Sequence, residues 1–107
     1  MTTQFGKDMQ SPNKDLFLKV RELLLTMDGI EETQKPRITT FSNAKGGICH
    51  LRTMPHGIDI GFLKGAKMTD AAGRLTGTGK AIRVLALSEF EEDICAYFLS
   101  QAVELNR

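Results

Sequence analysis

The sequence predicts an α+β fold, in which an N-terminal and a C-terminal helix pack on one face of an antiparallel sheet of four to six strands. Apolar residues recur with the 3.6-residue period of a helix near both ends of the 107-residue chain, whereas the middle alternates with period 2. Short turn clusters separate the candidate strands, which favours antiparallel neighbours. Two amphipathic helices beside such a sheet predict a two-layer sandwich.

The first helix is predicted to begin with Ser11 as its N-cap and Pro12 at its first helical position. It ends near Gly29, which can adopt the left-handed cap conformation. The apolar stripe of this helix consists of Leu16, Phe17, Val20, Leu23, Leu24 and Met27. Residues 1–10 lack periodicity, so we expect a flexible tail ahead of a single domain over residues 11–107.

Four strands are predicted, over residues 38–42, 48–52, 58–62 and 81–87. Alternation assigns His50 to the same face as Ile48. The last helix follows a capping-box pattern, with Ser88 as N-cap and Glu91 three residues later. Gln101 falls near the middle of the apolar face of that helix, so its amide either has hydrogen-bond partners on the sheet or marks the wet edge of the core.

Composition restricts the classes of partner. The chain is 41% hydrophobic and 25% charged, and its formal net charge is +1. No global field favours nucleic acid or a membrane, so neither is expected as a partner. The polar N-terminus and the lack of an 18-residue apolar span predict a cytoplasmic protein. Cys49 and Cys95 are too few for a disulfide scaffold, and each lies in an apolar run typical of a buried thiol.

Residues 73–83 (GRLTGTGKAIR) place three glycines and three cations between two apolar segments. Bare amides and fixed positive charge suit an anion, whereas the alternative is a strand connection shaped by glycines with positive φ. The loop is not a P-loop, because Arg74 and Ala81 stand where that motif needs Gly and Ser or Thr. The dinucleotide fingerprint fails at Ile82. The candidate ligand contacts are His56, Arg74, Gly77, Thr78, Gly79, Lys80 and Arg83.

The two imidazoles, His50 and His56, have a spacing that would let a hairpin bring both to one metal or anion. The alternatives are a core or interface role for His50 and a solvated turn for His56. Asp59 and Arg83 lie on neighbouring candidate strands and are expected to pair. No nucleophile elbow or Cys–His pattern occurs, so the chain is predicted not to be an enzyme and to need no metal or cofactor.

A family resemblance rests on two glycine-containing runs. Residues 56–66 (HGIDIGFLKGA) put a histidine before a strand that ends in Gly-Phe, then Gly-Ala, and residues 75–83 (LTGTGKAIR) follow. This combination resembles the YdhG-like family of domains of unknown function, over about residues 12–105. The resemblance implies a small α+β fold similar to that of frataxin. Lys35-Pro36-Arg37-Ile38 departs from the Pro-x-Tyr pattern that the family tends to have near the first strand.

Three functions follow as hypotheses. The first is a non-enzymatic binding module whose basic loop holds a small anionic ligand or an acidic segment of a partner protein. The second, implied by the resemblance, is a frataxin-like iron chaperone, for which the candidate carboxylates are Glu89, Glu92 and Asp93. An acidic helix N-terminus explains the same residues through the macrodipole. The third is a homodimeric interaction domain using Leu18 and Leu25, which lie opposite the apolar stripe of the first helix.

Overall fold

The computed structural model describes residues 3–107, and its elements form the predicted α+β fold. A six-stranded antiparallel sheet has the strand order β1-β2-β3-β4-β6-β5. The helices are α1 (Gln4–Asp8), α2 (Lys14–Leu25) and α3 (Glu92–Glu104), and a 3₁₀ turn covers Gly65–Lys67. The strands are β1 (Glu31–Gln34), β2 (Thr39–Asn43), β3 (Gly46–Met54), β4 (Gly57–Phe62), β5 (Leu75–Thr76) and β6 (Arg83–Leu87).

One hydrophobic core lies between the helices and a single face of the sheet. Its helical members are Phe17, Val20, Leu24, Cys95, Phe98, Leu99 and Ala102. Its strand members are Phe41, Ile48, Cys49, Leu51, Ile58, Ile60, Phe62, Leu85 and Leu87. The alternating residues of β3, β4 and β6 point away from this core, because successive strand side chains face opposite ways. We call that side, which includes His50, Arg52, Asp59, Gly61 and Val84, the open face.

The N-terminal segment differs from the flexible tail that the lack of periodicity predicts. Its residues Gln4–Asp8 form α1, which is too short for an apolar period to register. The buried Asp8 carboxylate accepts hydrogen bonds through Oδ1 from the Thr53 amide (3.1 Å) and the Thr53 hydroxyl (2.7 Å). The Phe5 ring meets Phe17 edge-on at 5.9 Å. The first two residues of the predicted tail lie outside the described residues.

Both long helices begin later than their sequence signals predict. Helix α2 starts at Lys14 with Asn13 as N-cap, while the Ser11 hydroxyl accepts from the Asn13 amide (3.0 Å) in the preceding turn. Helix α3 starts at Glu92, and the predicted Ser88 capping box does not form. The carboxylate of its N-cap residue, Glu91, accepts hydrogen bonds from Arg74 instead of capping the helix.

A β-bulge corrects the face predicted for His50. Phe41 pairs with Cys49 but the next residue pairs with Gly47, so Ile48 has no partner on β2. One extra residue reverses the alternation at that point, and Ile48 and Cys49 are both buried. His50 therefore lies on the open face, not on the core face, and pairs with Gly61 of β4.

The Gln101 amide lies at the half-buried edge of the core, whereas both cysteines lie inside it. The Gln101 amide is satisfied by one residue: its Oε1 accepts from the Thr69 amide (2.7 Å) and its Nε2 donates to the Thr69 carbonyl (2.9 Å). Both cysteines are buried free thiols. Burial raises the pKa of Cys49 to about 12 and that of Cys95 to about 11, so neither is a thiolate at neutral pH.

Candidate functional site

The glycine-rich loop (residues 77–82) connects β5 to β6 and is exposed along its whole length. Gly77 has φ +125°, and a Cβ there would lie 3.2 Å from the Ile82 carbonyl oxygen. The loop is anchored by a hydrogen bond from the Ala66 amide to the Ala81 carbonyl (2.8 Å). Gly77 therefore shapes a strand connection, in line with one of the two sequence interpretations.

Two of the three cations of segment 73–83 already have partners. Arg74 donates two hydrogen bonds to the Glu91 carboxylate, at 3.0 and 2.7 Å. This pair raises the pKa of Arg74 and lowers that of Glu91. Arg83 Nη1 donates to the carbonyls of Gly79 (2.6 Å) and Ile82 (2.8 Å). Lys80 forms no ion pair within the described residues.

The amides that precede the loop bind an anion of the chain itself. Backbone N–H groups of Arg74 and Leu75 donate to the Asp70 carboxylate at 2.8 and 2.9 Å. These bonds, that of Leu75 first, lower the pKa of Asp70. The start of the basic segment is therefore already neutralised internally, both at its backbone and at Arg74.

His56 lies far from the other predicted contacts. It occupies the turn before β4, whereas Arg83 pairs with Phe62 at the other end of that strand. At about 3.4 Å per residue these ends are roughly 17 Å apart. His56 Nε2 contacts Asp59 Oδ1 at 2.9 Å, so the predicted Asp59–Arg83 pair does not form. Asp59 and Arg83 also lie on opposite faces of the sheet.

The open face carries a cavity of about 250 Å³ that we call the open-face groove. It is lined by Ile38, His50, Arg52, Asp59, Gly61, Ile82 and Val84. Gly61 stands between His50 on β3 and Val84 on β6. A Cβ on Gly61 would lie 3.5 Å from His50 Nδ1, so the missing side chain leaves the floor of the groove open.

Of the two charged residues in the open-face groove, Asp59 contacts a partner, whereas Arg52 has no ion pair within the described residues. Arg52 and Asp59 are direct partners across β3 and β4, yet they form no ion pair with each other, and Asp59 contacts His56. Arg52 is exposed and has no ion pair within the described residues. Partial burial first, and the Lys35 charge second, lower the pKa of His50. His50 is therefore neutral at neutral pH, and Arg52 is the cation of the groove.

Sequence reasoning identified Asp59 and Gly61 as one face of a strand but did not predict the groove. The missing information was the bulge that turns His50 outward and the pairing of β3 with β4 that sets Arg52 opposite Asp59. A usable signal was present in Gly61, because glycine inside a strand often marks a bulge or a close approach of a ligand.

A larger cavity, of about 640 Å³, lies at the C-terminal ends of α2 and α3. Its lining residues are Met27, Asp28, Asn43, Ser100, Val103, Glu104, Asn106 and Arg107. The cation there is Arg107, which is paired with Glu104 at 2.7 Å. Because this cavity offers no unpaired cation, it is a poorer match to an anionic ligand than the open-face groove.

The residues of the other two hypotheses are also located. No group of three or more His, Cys, Asp or Glu side chains is placed to hold a metal ion within residues 3–107. Leu18 packs partly against the core, and Leu25 is 39% exposed. None of the described helices is long and apolar enough to cross a bilayer.

Comparison with known proteins gave no match to any family model, curated protein or solved structure. The resemblance to the YdhG-like family therefore stays a prediction.

Proposed function

We propose that this protein is a non-enzymatic binding module for a small carboxylate, held in the open-face groove. The observation that carries the proposal is the Arg52 guanidinium, which lies beside a cavity and has no ion pair among residues 3–107, although Asp59 stands directly opposite it. The proposal keeps the small anionic ligand predicted from sequence. It moves the binding site from the glycine-rich loop to the sheet, with Ile82 as the contribution of that loop to the wall.

The lining chemistry suits a carboxylate on an apolar body. A guanidinium presents parallel N–H donors that match the two oxygens of a carboxylate. Ile38, Ile82 and Val84 supply apolar walls for the remainder of the ligand. The volume of about 250 Å³ lies below the roughly 300–1,000 Å³ typical of sites for drug-sized ligands, so the ligand is small.

The surroundings of Arg52 reinforce its preference for an anion. His50 in its neutral form still has one N–H donor beside the floor of the groove. Lys35 lies near enough to His50 to lower its pKa, which brings a second positive charge to this side of the sheet.

Arg52→Ala is expected to weaken binding of isovalerate (3-methylbutanoate) about 10- to 100-fold, since a hydrogen bond to a charged group contributes about 1.5–3 kcal/mol. Lys80→Ala is the matched control, because Lys80 is an exposed cation of the glycine-rich loop outside the groove lining. The Lys80→Ala variant is expected to bind isovalerate with the affinity of the wild type. Isothermal titration calorimetry at low ionic strength measures both.

Two outcomes would contradict the groove as the site. A loss confined to Lys80→Ala would return the ligand to the glycine-rich loop. Failure of the wild type to bind either isovalerate or valine at millimolar concentration would rule out a small carboxylate as the ligand. Inorganic phosphate is included as a second probe, and it is expected to bind more weakly than isovalerate because it gains nothing from the apolar walls.

A further inference from the structure

A cation and an anion border the same space in the open-face groove without neutralising each other. Arg52 and Asp59 are direct cross-strand partners, and such residues have Cα atoms about 4.5–5.5 Å apart. Opposite charges in that position usually pair. Here they do not, and both residues line the cavity.

Asp59 contacts His56 through only one of its two carboxylate oxygens. The turn before β4 brings His56 Nε2 to 2.9 Å from Asp59 Oδ1. Within the described residues, Asp59 Oδ2 makes no hydrogen bond, and the Asp59 side chain remains 25% exposed. Asp59 Oδ2 is therefore available to accept from a ligand, on the strand opposite the Arg52 guanidinium.

We propose that the ligand of the open-face groove is an α-amino acid with an apolar side chain. Its carboxylate binds Arg52, its ammonium binds Asp59, and its side chain packs against Ile82 and Val84. This inference rests on the proposed carboxylate-binding function and adds the second charged contact. An α-amino acid carries both charged groups on one carbon atom, which fits neighbouring residues of opposite charge in a small cavity.

The same two charges reject other small ions. A dicarboxylate would bring a second negative charge to Asp59, and a simple amine would bring its positive charge to Arg52. Like-charge contacts of this kind discriminate between ligands as effectively as attractive ones. The Asp59 carboxylate, through Oδ2, and the Arg52 guanidinium thus act together to select zwitterions.

Three related ligands separate the contributions of the two charges: valine, isovalerate, which lacks the ammonium, and isobutylamine, which lacks the carboxylate. The wild-type protein is expected to bind valine at least tenfold more tightly than isovalerate, and isobutylamine more weakly than either. Asp59→Asn is expected to lower the affinity for valine at least tenfold. The same variant is expected to leave the affinity for isovalerate unchanged or higher, because a repulsive charge is gone.

Asp93→Asn is the matched control, since Asp93 lies in the first turn of α3, outside the groove lining. It is expected to bind all three ligands as the wild type does. If isovalerate binds as tightly as valine, or if Asp59→Asn weakens both ligands equally, the amino-acid assignment is overturned while carboxylate binding stands. If none of the three binds, both proposals are overturned.

Discussion

Gly57→Ala is expected to destabilise the protein by about 3–5 kcal/mol, through overpacking added to backbone strain. A Cβ on Gly57 would lie 1.9 Å from the Leu87 carbonyl oxygen and 2.9 Å from the Ser88 Cα. Both are backbone atoms at the end of β6, so no side-chain rotation relieves the clash. Gly57 also has φ +149°, which L side chains rarely adopt.

Urea denaturation measures the free energy of unfolding of Gly57→Ala and of Gly46→Ala. The difference between them isolates the effect of the close contact between residue 57 and the Leu87 carbonyl. Gly46 also has a positive φ (+128°), but a Cβ there would meet nothing within 4 Å. Gly46→Ala is therefore expected to cost only the conformational strain, about 1–3 kcal/mol. Equal stability of the two variants would contradict the tight approach of β6 to the start of β4.

Phe98→Ala is expected to lower the free energy of unfolding by about 3–5 kcal/mol. Phe98 is fully buried on α3, with its ring centroid 6.0 Å from that of Phe62 on β4. Truncation leaves a cavity between the helix layer and the sheet. Since small domains have a total stability of about 5–15 kcal/mol, this loss is a large fraction of the whole.

Tyr97→Ala is the control for Phe98→Ala in the same denaturation experiment. Tyr97 is the next residue on α3 and its ring contacts that of Phe98 at 4.9 Å, but its side chain is 39% exposed. Its truncation is expected to cost about 1 kcal/mol, as is common for partly exposed positions. A cost for Tyr97→Ala equal to that of Phe98→Ala would show that α3 presents a different face to the sheet.

The elements predicted correctly from sequence are those with a sustained period. Helices α2 and α3 and strands β2, β3, β4 and β6 bury one face each, and that burial is what hydrophobic periodicity reports. Strand β1 (Glu31–Gln34) has no buried residue, and β5 (Leu75–Thr76) has only two residues, so neither leaves a periodic signal. Both are short strands at the edges of the sheet, held by hydrogen bonds to β2 and to β6 rather than by burial of an apolar face.

The sequence shows where the charged residues are, but it does not predict which of them pair. Arg74 is 17 residues from Glu91, and the ion pair between them takes up a guanidinium that was predicted to contact the ligand. Arg83 turns to carbonyls of its own loop. Arg52 is not predicted from the sequence as a ligand contact, because only the register of β3 against β4 puts it beside Asp59 and a cavity.

The open-face groove is tested most directly by filling its floor. Gly61→Val inserts a side chain between His50 and Val84, where one Cβ alone would make ordinary contact with His50 at 3.5 Å. Because valine is favoured in strands, this variant is expected to fold with a melting temperature near that of the wild type. Ala86→Val is the control, since Ala86 is an exposed residue of β6 outside the groove lining.

The measurement is an NMR titration of the ¹⁵N-labelled protein with isovalerate. In the wild type and in Ala86→Val, we expect the amide shifts of Arg52, residue 61 and Val84 to move and saturate together. In Gly61→Val, with the fold intact, those shifts are expected to stay fixed. Saturating shifts confined to residues 77–82, or unchanged binding by folded Gly61→Val, would contradict the assignment of the ligand to the open-face groove.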